Sequence, residues 1–170
     1  MSRAAQPLDP LRWLGIPALL CIAASVIFAT PLKVFGLQLP EPVFAMVPAF
    51  AWAVIRPSVL APFVLLAMGV FLDALWGTPL GLWALSLLTA YAGVLATRNM
   101  MSGQSSAVTW VWYGAVTALA MFAGYVFTVM TAQAAPAGIV VFWQFLWTII
   151  LYPFAHRLIG RFEDADVRFR

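Results

Sequence analysis

Between Arg12 and Arg157 the chain carries only five charged side chains: Lys33, Glu41, Arg56, Asp73 and Arg98. Everything else there is a succession of apolar runs separated by short polar or proline-containing breaks. Of the 170 residues, 64% are hydrophobic and 9% charged, where soluble domains carry about 25% charge. A water-soluble globule of this size needs far more polar surface than that. The bilayer is the solvent that fits, and the sequence predicts an all-α, polytopic membrane helical bundle.

The runs fall at 13–32, 43–55, 58–76, 79–97, 107–132 and 138–155, with polar tails at 1–12 and 156–170. Each crossing takes about 20 residues, so about six transmembrane helices use most of the chain and leave one membrane domain, 1–170, with short loops. The first run is too long for a typical signal-peptide core, and no small-x-small cleavage site follows it, so it reads as a retained helix. The second is short, about 20 Å of helix at 1.5 Å per residue. It is either a tilted span that borrows Leu37 to Leu39 or a partly re-entrant element, with Pro48 marking a kink. Gly77-Thr78 alone separates the third run from the fourth, which forces an antiparallel hairpin. Stretches 33–42, 98–106 and 133–137 read as loops.

With six spans, both termini lie on one side of the membrane. That side then holds Arg3, Arg12, Arg56, Arg98, Arg157, Arg161, Arg168 and Arg170, leaving Lys33 on the other. Basic residues accumulate on the cytoplasmic side, so both termini are expected in the cytoplasm. The net charge of +3 follows from this topology and does not point to nucleic acid.

Recognisable enzymatic parts are missing. The chain has one His and one Cys, hence no multi-histidine metal site and no disulfide within the chain. It contains no H-E-x-x-H, G-x-S-x-G or phosphate-cradling glycine loop. Cys21, within an apolar run, reads as an inert buried thiol, and His156 as an interfacial residue. Trp13, Trp76, Trp83, Trp110, Trp112 and Tyr152 fall near run ends, as an aromatic belt would. No cofactor is expected.

Asp73 stands apart as the only acidic residue inside an apolar run. Ionisable groups in spans are costly, and they face a protein interior, a cavity or a partner. The alternative is that Asp73 reaches the outer headgroups and is simply hydrated. Gly69, Asp73, Gly77 and Gly81 recur every four residues through the hairpin. Gly69 would permit close helix approach, and Gly77 with Thr78-Pro79 would make the turn, with Pro79 in the first turn of the next helix. Asp73 could then accept hydrogen bonds from the N–H groups that open the fourth segment. It would pin the hairpin and could also serve as a contact site.

The stretch Gly69-Val70-Phe71-Leu72-Asp73-Ala74-Leu75-Trp76-Gly77-Thr78-Pro79-Leu80-Gly81-Leu82-Trp83-Ala84-Leu85 resembles the signature of the rod shape-determining protein MreD family, with Gly69, Asp73, Gly77, Pro79 and Gly81 at its five diagnostic positions. The motif covers about a tenth of the chain; elsewhere the likeness is one of size and layout. The resemblance implies a non-enzymatic inner-membrane scaffold or regulator of the bacterial cell-elongation (rod) machinery, acting on cell shape and peptidoglycan synthesis. Its partners would be an MreC-like bitopic membrane protein and, through it, an MreB-like filament and the peptidoglycan polymerase–transpeptidase pair. The family is also similar in fold to the membrane subunits of energy-coupling-factor transporters. That likeness makes a small-molecule (vitamin) binding transporter subunit the competing reading. Its polar candidates on the outer side would be Lys33, Gln38, Glu41, Asp73, Gln133 and Gln144.

Overall fold

The computed structural model describes residues 11–29, 33–34, 37–38, 41–55, 57–101, 103–132 and 136–167, with side chains described for 13–29, 41–55, 57–101, 103–132 and 136–160. The expectations placed on the 1–10 tail, residues 30–32, the side chains of Arg12, Lys33 and Gln38, Arg56, Gln133 and the end of the C-terminal tail lie outside these residues.

The described residues are mainly helical, with a two-residue antiparallel ladder pairing Lys33–Val34 (β1) with Leu37–Gln38 (β2) inside the stretch read as a loop. One turn of π-helix, Leu11–Gly15, leads into α1, Ile16–Phe28. Then come α2 (Met46–Ile55), α3 (Leu60–Trp76), α4 (Leu82–Met101), α5 (Ser106–Ala132), α6 (Gly138–Ile150) and α7 (Tyr152–Val167). The first six follow the six apolar runs in order. Two helical stretches, Ser106–Ala132 and Gly138–Gly160, are long and apolar enough to cross a membrane.

The short second run owes its length to burial. All residues from Met46 to Ala53 are buried, because α2 lies between α4 and α7 and also touches α3. A helix with protein on every side has no solvent thickness to match. Pro48 makes no kink in mid-helix. It falls in the first turn, where its missing N–H costs nothing, and the Phe44 carbonyl it would have faced takes the Val47 N–H instead at 3.1 Å.

The fourth run starts later than its hydropathy suggests. Pro79 to Gly81 belong to the turn, closed by Leu82 N–H on the Pro79 carbonyl at 3.1 Å, so Pro79 precedes the helix. At its other end α4 runs on to Met101, which puts Arg98 in its last turn, where a cation meets the negative end of the helix dipole.

The 156–170 stretch is likewise more than a polar tail. Helix continues through α7 to Val167, and Ala155 and Ile159 are buried in the core where α7 packs on α2. The break at Leu151 between α6 and α7 is explained by Pro153, which has no N–H to give the Ile149 carbonyl. The Trp110 indole N–H approaches that carbonyl at 3.5 Å, and Tyr113 donates to the neighbouring Thr148 carbonyl at 3.2 Å.

The aromatic residues divide in two. Trp13, Trp83 and Tyr152, read as belt residues, are buried in the core, whereas Trp110 is 49% exposed. Trp52, the largest fully buried side chain, donates its indole N–H to the Trp13 carbonyl at 3.1 Å. Indoles near helix ends suit an interface and a core equally by sequence, and here packing decides between them.

Candidate functional site

α3 ends where glycine permits it. Gly77 adopts φ +64 and caps the helix with its N–H on the Asp73 carbonyl, a left-handed position that side-chain-bearing residues resist. Thr78 N–H reaches the same carbonyl at 3.0 Å. Gly81, at φ +98, turns the chain into α4, and its carbonyl accepts Leu85 N–H at 2.8 Å.

Gly81 stands at the N-cap of α4 but has no side chain to cap it, so the opening N–H groups need an acceptor from elsewhere. Asp73 supplies it from the preceding helix. Its Oδ2 accepts Gly81 N–H at 2.8 Å, and its Oδ1 accepts Trp83 N–H at 3.0 Å and the Thr78 hydroxyl at 2.8 Å. The carboxylate also places negative charge at the positive end of the α4 dipole. Asp73 is 1% exposed, so it is not a hydrated residue at the surface. Its oxygens are turned into the hairpin.

Gly69, two turns before Gly77 on α3, faces the start of α4. A Cβ built there would lie 2.8 Å from the Trp83 carbonyl carbon and closer still to the backbone of Ala84. The two helices can touch at this depth only because position 69 carries no side chain. Gly69, Asp73, Gly77, Pro79 and Gly81 are thus brought together in one knot. Gly69 sets the helix spacing, Gly77 ends α3, Pro79 and Gly81 shape the turn, and Asp73 closes it.

A second polar cluster adjoins the knot. Trp76, edge-on to Trp83 with ring centroids 5.1 Å apart, donates its indole N–H to Glu41 Oε2 at 2.7 Å. Burial pushes the Glu41 carboxyl above its ordinary range, and the Trp76 hydrogen bond offsets part of that rise. Gln144 of α6 donates to the Glu41 carbonyl at 3.2 Å, and Val43 N–H donates to Thr148 Oγ1 at 3.1 Å. The segment before α2 is therefore clamped between the end of α3 and the middle of α6. Of the polar residues singled out in the sequence, Glu41 and Gln144 meet here. Thr148 did not stand out in the sequence, because a lone threonine in an apolar run carries no positional signal.

Among the described residues no group of three His, Cys, Asp or Glu could hold a metal ion. His156 is exposed and stacks on Tyr152 at 5.9 Å. The chemistry of the knot is that of a cap and a turn, with every acceptor of Asp73 turned to the chain itself. No family model, curated protein or solved structure matches the chain.

Proposed function

We propose that this protein is a non-enzymatic scaffold or regulator of the bacterial cell-elongation machinery, embedded in the inner membrane by six spans with both termini in the cytoplasm. The observation that carries this reading is the hairpin knot. The five residues that resemble the MreD signature all serve one structural purpose, and their polar atoms are spent inside the chain. A motif spent in this way suits a protein that presents a surface. Outside the knot, α3 exposes Phe63, Leu66 and Val70 along one face, a stripe spaced for one side of a helix. The eight-to-one division of basic residues supports the orientation.

On this reading the partner is a one-span protein resembling MreC, and through it the filament and the wall-synthesis enzymes. Photocrosslinkers belong at Phe63, Val70 and Leu80, which are exposed. Crosslinking in cells, followed by purification in mild detergent, should give an adduct with a membrane protein that has a single span and a periplasmic coiled coil. Absence of such an adduct from all three positions, with normal membrane levels of the protein, would refute the assigned surface. Rod-shaped growth without the protein would refute the function itself.

A further inference from the structure

Two helix breaks leave space at one end of the bundle. Gly103, at φ +74, carries the chain from α4 into α5, and no atom lies within 4 Å of the place its Cβ would take. A cavity of about 330 Å³ opens there, between the end of α4, the start of α5, α7 and the last turn of α2. Its polar wall comes from Arg98, Gln104, Thr109 and His156, and none of the residues lining it is acidic. The second break, at Leu151, bends the chain so that α7 turns in against α2 while α6 stays outside. A cavity of about 520 Å³ lies against this bend, and its wall is mostly apolar, with Ala107, Trp110, Ile149, Ile150 and Pro153. Both volumes fall within the range of ligand sites, about 300–1,000 Å³.

The two cavities adjoin. Ser106 lines both, with its carbonyl accepting the Tyr152 O–H at 2.9 Å. Tyr152 carries a ring from each: His156, of the polar cavity, stacks on it with centroids 5.9 Å apart, and Trp110, of the apolar one, lies at 6.3 Å. From this junction the apolar wall leads away from the polar end, up α5 from Ser106 to Trp110 and back along α6 from Tyr152 to Ile149. Trp110 and Ile150 are about half exposed, so the apolar cavity opens sideways. A basic pocket that continues into a lateral apolar groove has the polarity of an amphiphile with an anionic head.

We propose that the joined cavities bind one anionic glycerophospholipid of the cytoplasmic leaflet, its phosphate on Arg98 and His156 and an acyl chain along Trp110, Ile149 and Ile150. Basic pockets at the cytoplasmic ends of membrane helices suit such headgroups. A guanidinium matches a phosphate through paired N–H donors. Arg98 also has an interaction within the chain, and five N–H donors suffice for both. The imidazole of His156 can offer an N–H in either protonation state. Selection against zwitterionic lipid follows from the wall: with no acidic residue lining it, a choline or ethanolamine cation would meet Arg98 and no counter-charge. The leaflet rests on the orientation proposed above, but the binding does not. A C-terminus outside the cytoplasm would move the site to the outer leaflet without removing it.

The test titrates the whole purified protein in mild detergent with phosphatidylglycerol and with phosphatidylcholine of the same acyl chains, counting bound lipid by native mass spectrometry. One phosphatidylglycerol per chain should bind saturably, about tenfold more tightly than phosphatidylcholine. Arg98→Gln should weaken it about tenfold, the scale of a lost charged hydrogen bond, and Arg98→Lys should recover most of that. Should Arg98→Gln fail to fold, His156→Ala, at an exposed position, carries the test with a loss of about fivefold. Arg157→Gln removes a charge from the neighbouring exposed position and should change affinity less than about twofold. Ala107→Trp, which fills the apolar cavity, should weaken the lipid about tenfold. Equal affinity for the two lipids would overturn the proposal. So would equal losses in the Arg98 or His156 variant and in Arg157→Gln, since the attraction would then be one of overall charge. Displacement of the lipid by millimolar glycerol 3-phosphate would also overturn it, in favour of a soluble phosphate ester that leaves the apolar cavity unused.

Discussion

Replacing Asp73 with alanine removes the acceptor of three hydrogen bonds while leaving the donors in place. The Thr78 hydroxyl can turn to a new partner. The Gly81 and Trp83 N–H groups, at 2.8 and 3.0 Å from the carboxylate, cannot, because they are fixed in the turn and the first turn of α4. A buried donor left unpaired costs about 1–3 kcal/mol, so two such donors set the expected loss at about 2–6 kcal/mol. Asp73→Asn keeps one acceptor oxygen but points an N–H₂ at a remaining donor, and should lose about half as much. Reversible unfolding in mixed detergent–SDS micelles measures both. A loss below about 1 kcal/mol for Asp73→Ala would refute the claim that this carboxylate caps α4. If the proposed function holds, cell shape separates pinning from contact: with Asp73 1% exposed, defects should track the amount of folded protein. Asp73→Asn that reaches wild-type levels yet produces round cells would contradict this.

The glycines of the knot should rank by geometry. Gly69→Ala drives a Cβ into the Ala84 backbone and should cost the most, about 3 kcal/mol for forced overpacking. Gly77→Ala meets no atom within 4 Å and should lose only the left-handed preference, about 1 kcal/mol; equal losses at both sites would refute the close α3–α4 approach. Thr148→Val leaves the fully buried Val43 N–H without its partner and should lower the same unfolding free energy by about 1–3 kcal/mol. Glu41 holds its proton more tightly in the folded state, so its contribution to stability is greatest at low pH and declines as pH rises from the ordinary carboxylate range through the raised folded value. Glu41→Gln should flatten that part of the pH profile, and an unchanged slope would assign the dependence elsewhere. A phosphatase reporter fused after Arg170, active only outside the cytoplasm, should stay silent; strong activity would defeat the six-span orientation.

The hairpin was legible in the sequence because everything that makes it is local. Glycines four residues apart, a two-residue break, a proline and one carboxylate specify a turn and a cap within 13 residues, whatever the rest of the chain does. Helix order was legible for a similar reason, since each apolar run is long enough to declare itself. The depth of Asp73 was not, because hydration and capping make the same demand on sequence: one carboxylate near a helix end. Only the approach of α4, permitted by Gly69, removed water from it.

The remaining misreadings share a physical cause. Hydropathy reports that a side chain avoids water, but does not distinguish a neighbouring helix from a lipid tail. On that scale Met46 to Ala53, buried on every side, resemble Ile139, Phe142 and Ile150, which face outward from α6. Tertiary packing alone made α2 a central helix, drew Trp13 and Trp83 into the core, and gathered α7 onto α2. It also paired Val43 with Thr148, 105 positions apart, and set Gly124 against Ser86. Contacts at that separation depend on how whole helices pack, and no local pattern of residues encodes them.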